Sequence, residues 1–253
     1  MPRKYRYVHR VGVELEGGWD NRPRNAVEDG SVDVAANFSG EVPSPILKPG
    51  EVEKWVTDNY PHYTNGTCGL HVHVSFVQRL HYSRLMEQEF RRFFRDHLYA
   101  WGKAAKIHSS SQFWPRLAGD AYYCRDEFIP SEQVAARQKG DADRYTQLNY
   151  CFGVHGTIEC RVLPGFKYAR VAVKAIYAVL DIFELYLRTT KLTKAQKRST
   201  LRLMEGDFPP SEETWRLNYD EDPRSAEVEL TERHSNAEDD YSQPVISSQT
   251  VEA

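Results

Sequence analysis

What the chain lacks narrows its class first. Its 253 residues include four cysteines, Cys68, Cys124, Cys151 and Cys160, and no two of them form a C-x-x-C pair. A chain of this size needs no disulfide staples, so the thiols read as reduced and structural. No run approaches the ~20 uninterrupted apolar residues of a membrane-spanning helix; even the apolar segment from Val171 to Leu187 holds Lys174, Asp181 and Glu184. The opening residues carry no charged-then-apolar leader, and the protein reads as cytosolic, with no membrane partner. Neither G-x-x-x-x-G-K nor G-x-G-x-x-G follows a strand, which argues against P-loop and Rossmann nucleotide sites. No run of basic residues is longer than two, as at Arg91 and Arg92, so nucleic-acid binding through Tyr and Arg is the weakest functional reading.

What is present is an ordinary globular composition with an uneven charge. Hydrophobic residues at 40% and charged ones at 27% permit a sizeable core. From Asp220 to Ala253 ten acidic residues face two arginines. Taking that −8 from the whole chain's −3 leaves about +5 on residues 1–219. The organisation expected is one catalytic domain over residues 1–205, then a linker and acidic tail over 206–253 that buries too little apolar area to offset its chain entropy. A solubilising tail is the simpler reading of that segment; a partner-binding tail is the alternative.

Alternation of period two over Tyr5 to Glu16 predicts a first strand, with turn chemistry from Gly17 to Arg24. Asp29-Gly30 predicts a hairpin turn into a short strand over Ser31 to Val34. Ser39 to Leu47 forms a further strand candidate that Pro43 and Pro45 restrict to an edge or a strand end. A short helix is expected from Glu51 to Tyr60, then a strand from Leu70 to Val77. Ser83 to Trp101 places Met86, Phe90, Phe93, Phe94, His97 and Trp101 at helical spacing, with Ser83 as N-cap. Ile107 to Gly140 reads as irregular, an insertion or a substrate-side loop region. Two strands around His155-Gly156 follow, then a buried helix from Tyr168 to Thr189 and a charged one from Lys194 to Met204. This order predicts an α+β fold, an antiparallel β-sheet with helices packed on one face.

Three of the strands repeat one design. Glu14 and Glu16 share a face, as do His71, His73 and Ser75, and as do Thr157, Glu159 and Arg161. Val13, Leu15, Leu70, Val72, Val74, Ile158, Cys160 and Val162 fill the opposite face. Taken singly, E-x-E is an exposed strand face, H-x-H half of a zinc site, and E-x-R a same-strand ion pair of little worth. In phase on neighbouring strands they make a floor of carboxylates and imidazoles, where crowded carboxylates call for a divalent cation. The oxygen donors favour magnesium or manganese, while the two histidines pull toward zinc.

The blocks "VGVELEGG", "EDGSV", "SGEVPSPIL", "CGLHVHVSF", "RYTQLNY" and "GTIECRVLPG", in this order, resemble the amidoligase family of ATP-dependent carboxylate-amine ligases, over about residues 9–190. The resemblance implies a sheet of the glutamine synthetase catalytic-domain type, whose concave face holds ATP with Mg2+ or Mn2+. By matching motif it implies Glu14, Glu16, Glu41, His71 and Glu159 as metal ligands. His71, His73, Arg144, Asn149 and Arg161 are implied as nucleotide or phosphate contacts, with Arg161, Arg144 and His73 taking part in catalysis. Asp29 is assigned to substrate. Pro43 stands where the pattern has an aliphatic residue, and the aromatic section from Gln112 to Phe128 matches no subgroup. The carboxylate and amine stay open among small molecules, peptides or protein side chains, and a modified nucleobase. The competing reading is a zinc or manganese hydrolase in which His71, His73 and a glutamate activate water.

Overall fold

The computed structural model describes residues 4–121, 123–127, 145–151 and 155–189. Five strands form one sheet: β1 (Val8–Trp19), β2 (Phe38–Pro43), β3 (Gly69–Phe76), β4 (Leu148–Cys151) and β5 (Thr157–Pro164). They lie in the order β2, β1, β3, β5, β4, and each neighbouring pair is antiparallel. The helices are α1 (Val52–Asn59), α2 (Arg79–Leu85), α3 (Gln88–Ala104), α4 (Phe113–Ala118) and α5 (Ala169–Thr189). The fold is α+β, an antiparallel sheet with helices packed against it. Among the described residues no helix is long and apolar enough to cross a membrane.

Strand alternation sends Val11, Val13, Leu15, Leu70, Val72, Val74, Ile158 and Cys160 into one buried core with Ile176, Val179 and Phe183 of α5. The Phe76 and Phe90 rings lie 5.3 and 5.1 Å from that of Phe183, tying β3 and α3 to α5. The two acidic residues of α5 meet the chain entering β1. Glu184 accepts the backbone N–H groups of Arg6 (2.7 Å), Tyr7 (2.9 Å) and Val8 (3.2 Å), and Tyr5 Oη donates to Asp181 (2.8 Å).

Several elements depart from what the residues predict. β1 runs on through Gly17 and Gly18 instead of turning. The glycine there admits a loop: a Cβ at Gly18 would stand 2.6 Å from that of Ala36, while its N–H binds Tyr63 O at 2.9 Å. At the other end the register slips between Val8 and Arg10, leaving His9 as the extra residue of a bulge. Tyr7 and Val8 are therefore both buried, and parity counted from Tyr5 fails before Arg10. No strand forms over Ser31 to Val34. Asp29 Oδ1 accepts from Ser31 N–H (2.8 Å) and Oγ–H (2.7 Å), closing a turn, and Val27 bridges Glu41 instead. The helix expected from Ser83 begins at Arg79 and breaks at Met86 and Glu87, so Ser83 lies inside α2 and not at a helix start. α4 occupies part of the segment read as irregular. The Pro-limited strand is an edge strand that closes at Pro43, and α5 begins within one residue of expectation. The helix expected over Lys194 to Met204 and the tail over 206–253 lie outside the described residues.

Candidate metal centre

Register carries the polar positions of all five strands into one patch. Glu16 pairs with Glu41, Glu14 with His71, Gly12 with His73, His73 with Glu159, and Glu159 with Asn149. Directly opposed residues place their Cβ atoms about 4.5–5.5 Å apart, close enough for side chains to share a ligand. The patch lies opposite the Val13–Leu15 and Val72–Val74 face that builds the core.

Two groups of three ligating side chains result. Glu14, His73 and Glu159 bring one ligand atom each within 4.8 Å of one another, and so do Glu16, Asp29 and Glu41. His71 stands between the groups. Its Nδ1 is 3.1 Å from Glu14 Oε2 and 3.4 Å from Glu159 Oε1, and its Nε2 is 3.5 Å from Glu16 Oε1. His73 Nε2 lies 3.1 Å from Glu14 Oε1, and its Nδ1 lies 3.1 Å from Thr157 Oγ1. Glu159 accepts from Arg161 Nη1 (2.6 Å) on one oxygen and from Asn149 Nδ2 (2.7 Å) on the other. Glu16 is held by the backbone N–H of Gly69.

The charges are unevenly compensated. Burial opposes ionisation of Glu14, and the hydrogen bonds from His71 and His73 overcome it, holding this carboxyl well below its ordinary range. Burial likewise opposes ionisation of Glu159, yet the Arg161 guanidinium, with His73 and His71, keeps it lowered. His73 shows the reciprocal effect: burial works against the imidazolium, but Glu14 and Glu159 raise its pKa. Among the described residues Glu41 has no hydrogen-bonded imidazole or guanidinium, only a lesser attraction from His71. Burial, with the repulsion of Glu14 and Asp29, pushes it up to about 7. The carboxyl groups meeting at Glu16, Asp29 and Glu41 are a hard-oxygen donor set of the kind that could hold a divalent cation.

The structure thus brings together Glu14, Glu16, Glu41, His71, His73, Asn149, Glu159 and Arg161. His73 completes the candidate group with Glu14 and Glu159, while His71 stands between the two groups. Asp29 stands with Glu16 and Glu41 among the candidate ligands. Asn149 donates to Glu159, one of the candidate ligands. Arg144 lies outside the described residues.

Three neighbours escaped sequence reasoning. Cys151 Sγ sits 3.7 Å from Glu159 Oε2, and the His155 ring meets that of His73 edge-on at 5.6 Å. Gly69 is the third, and its place immediately before L-H-V-H is the one signal that could have found it. A Cβ there would stand 2.8 Å from His71 Nε2, 2.9 Å from Glu16 Oε2 and 3.1 Å from Arg116 Nη1. Comparison of the chain with family models, with curated proteins and with solved structures finds no match.

Proposed function

We propose that the protein is an ATP-dependent carboxylate-amine ligase with a divalent-metal centre, built on a sheet of the glutamine synthetase catalytic-domain type. The observation that carries this reading is the in-register gathering of Glu14, Glu16, Glu41, His71, His73 and Glu159 from four strands onto one face. The order of the six sequence blocks supports it independently.

Glu14, His73 and Glu159 would hold one cation, and Glu16, Asp29 and Glu41 a second. A cation bound there supplies charge compensation to phosphate oxygens. In the reaction a substrate carboxylate oxygen attacks the γ-phosphorus of ATP and the bond to the ADP oxygen breaks, giving an acyl phosphate. An amine then attacks the acyl carbon, the carbon–oxygen bond to phosphate breaks, and the amine gives up a proton as the amide forms. Arg161, fixed by Glu159 at 2.6 Å, offsets the charge of the transferring phosphoryl group. A rigid sheet that holds both reactants makes the encounter nearly unimolecular.

The test is ADP release from ATP with Mg2+ or Mn2+ and a panel of carboxylates and amines. Release should require both an acid and an amine, and it should vanish in Glu159→Gln while the circular dichroism spectrum is retained. Hydrolysis without ATP, abolished by a zinc chelator, would replace the ligase with the hydrolase. Undiminished turnover of Glu159→Gln would remove that residue from the site.

A further inference from the structure

Arg116 is a charged side chain that the metal-centre reading leaves unused. It comes from α4, is 2% exposed, and ranks among the largest fully buried side chains of the described residues. Among those residues it has no carboxylate partner within salt-bridge distance. Its Nη2 donates to Cys68 O (3.0 Å), and its Nη1 donates to Arg161 O and Leu163 O (3.4 Å each). Its Nε has no partner, and the Tyr123 ring lies under the guanidinium at 4.5 Å. An unpaired buried cation is costly unless nearby negative charge answers it. The side chain therefore sits where the fold has a use for its charge and its fork.

That use is visible in what the three carbonyls belong to. Cys68 C=O and Gly69 N–H are the two ends of one peptide unit. Arg116 donates to the oxygen of that unit, and its N–H donates to Glu16. A cation, a peptide dipole and a carboxylate stand in series, each polarising the next. Cys68 O also accepts Gly165 N–H (2.8 Å), which ties the same peptide to the chain leaving β5. The second carbonyl, that of Arg161, belongs to the residue whose side chain holds Glu159. The third, that of Leu163, lies just past the register slip between β3 and β5. One guanidinium thus fixes the backbone behind a ligand of each three-residue group, Glu16 and Glu159.

We infer that Arg116 is a positioning residue of the metal centre, setting Glu16 through the Cys68–Gly69 peptide and Glu159 through the backbone of Arg161. The inference rests on the reading of the polar face as a metal centre. Residues that orient metal ligands without touching the ion commonly change affinity by roughly 10–100-fold when replaced.

The probe is Mn2+ alone, added to the full-length chain. Binding is followed by titration calorimetry and by the loss of the free-ion paramagnetic resonance signal, at a temperature where metal-free melts show every variant folded. Arg116→Met should bind Mn2+ roughly tenfold more weakly or worse. Arg116→Lys keeps the charge but not the planar fork, and should fall between Met and the native chain. A merely structural arginine would lower the melting midpoint and leave the affinity of folded protein unchanged; that result overturns the inference while the metal centre stands. Failure of the native chain to bind Mn2+ removes the metal-centre reading, and the inference falls with it. If neither variant folds, the native chain decides through a Mg2+ titration followed by 15N NMR. The Arg116 Nε–H resonance should then move in step with the Gly69 amide, and a stationary Arg116 signal overturns the inference.

Discussion

At residue 69 the absence of a side chain is itself part of the site. A methyl group there would press on the His71 imidazole, the Glu16 carboxylate and the Arg116 guanidinium together, all within 3.1 Å. Gly69→Ala should therefore keep secondary structure while weakening Mn2+ binding by roughly tenfold or more, read by calorimetry. Affinity equal to the native chain would mean the three groups shift aside at no cost. A second residue makes a prediction remote from the metal groups. Burial, aided by Arg84 and Arg6, pushes His81 down to about 3. Between that value and the ordinary histidine range near 6.5 the unfolded chain binds a proton that the folded chain refuses. Stability due to this group is therefore full at neutral pH and declines as pH falls from about 6.5 toward 3. His81→Asn keeps an acceptor for the Gln78 N–H that His81 Nδ1 now accepts at 3.3 Å, and it cannot titrate. Urea midpoints measured at pH 7 and pH 4.5 should differ less in that variant than in the native chain.

At the scale of elements, α5 does more than close the core. Its Glu184 takes three consecutive backbone N–H groups of the chain entering β1. Hydrogen bonds to a charged acceptor contribute about 1.5–3 kcal/mol each when buried, less at a half-exposed carboxylate. Glu184→Ala should lower unfolding free energy by about 2–3 kcal/mol in denaturant titrations, and Glu184→Gln by less. Equal stability would mean that water satisfies those amides as well. This clasp also shows where the sequence stops speaking. The period-two strands were legible because each specialises its two faces, and the order Glu14, His71, His73, Glu159 survives into the site for the same reason. The bulge at His9 was not legible, because Tyr7 and Val8 are both apolar and only the partner strand decides which residue is extra. The break between α2 and α3 was hidden too. No Gly or Pro marks Met86 and Glu87, and Leu85 and Phe90 on either side are both fully buried, so the apolar pattern runs through unbroken. Arg116 gave no local signal at all: its partners are backbone atoms 45 to 48 residues away.

For the molecule as a whole, the gathering of Glu16, Asp29 and Glu41 puts three acidic side chains against one another, and on the proposed metal-centre reading a cation relieves that repulsion. Mg2+ or Mn2+ at about a hundred times its dissociation constant should add about 2.7 kcal/mol of stability. In thermal melts that corresponds to a midpoint rise of roughly 5–10 °C, reversed by a chelator. A midpoint indifferent to either ion would leave Glu16, Asp29 and Glu41 as an acidic cluster without a resident cation. The Glu184 clasp has a further consequence, in time instead of energy. Its donors and acceptor are 176 to 178 residues apart, so the first strand of the sheet leaves the ribosome long before the carboxylate that pins its entry. At about 5–20 residues per second that interval is roughly 10–35 s. For all of it β1, which the finished sheet sandwiches between β2 and β3, must wait with its entrance unlatched.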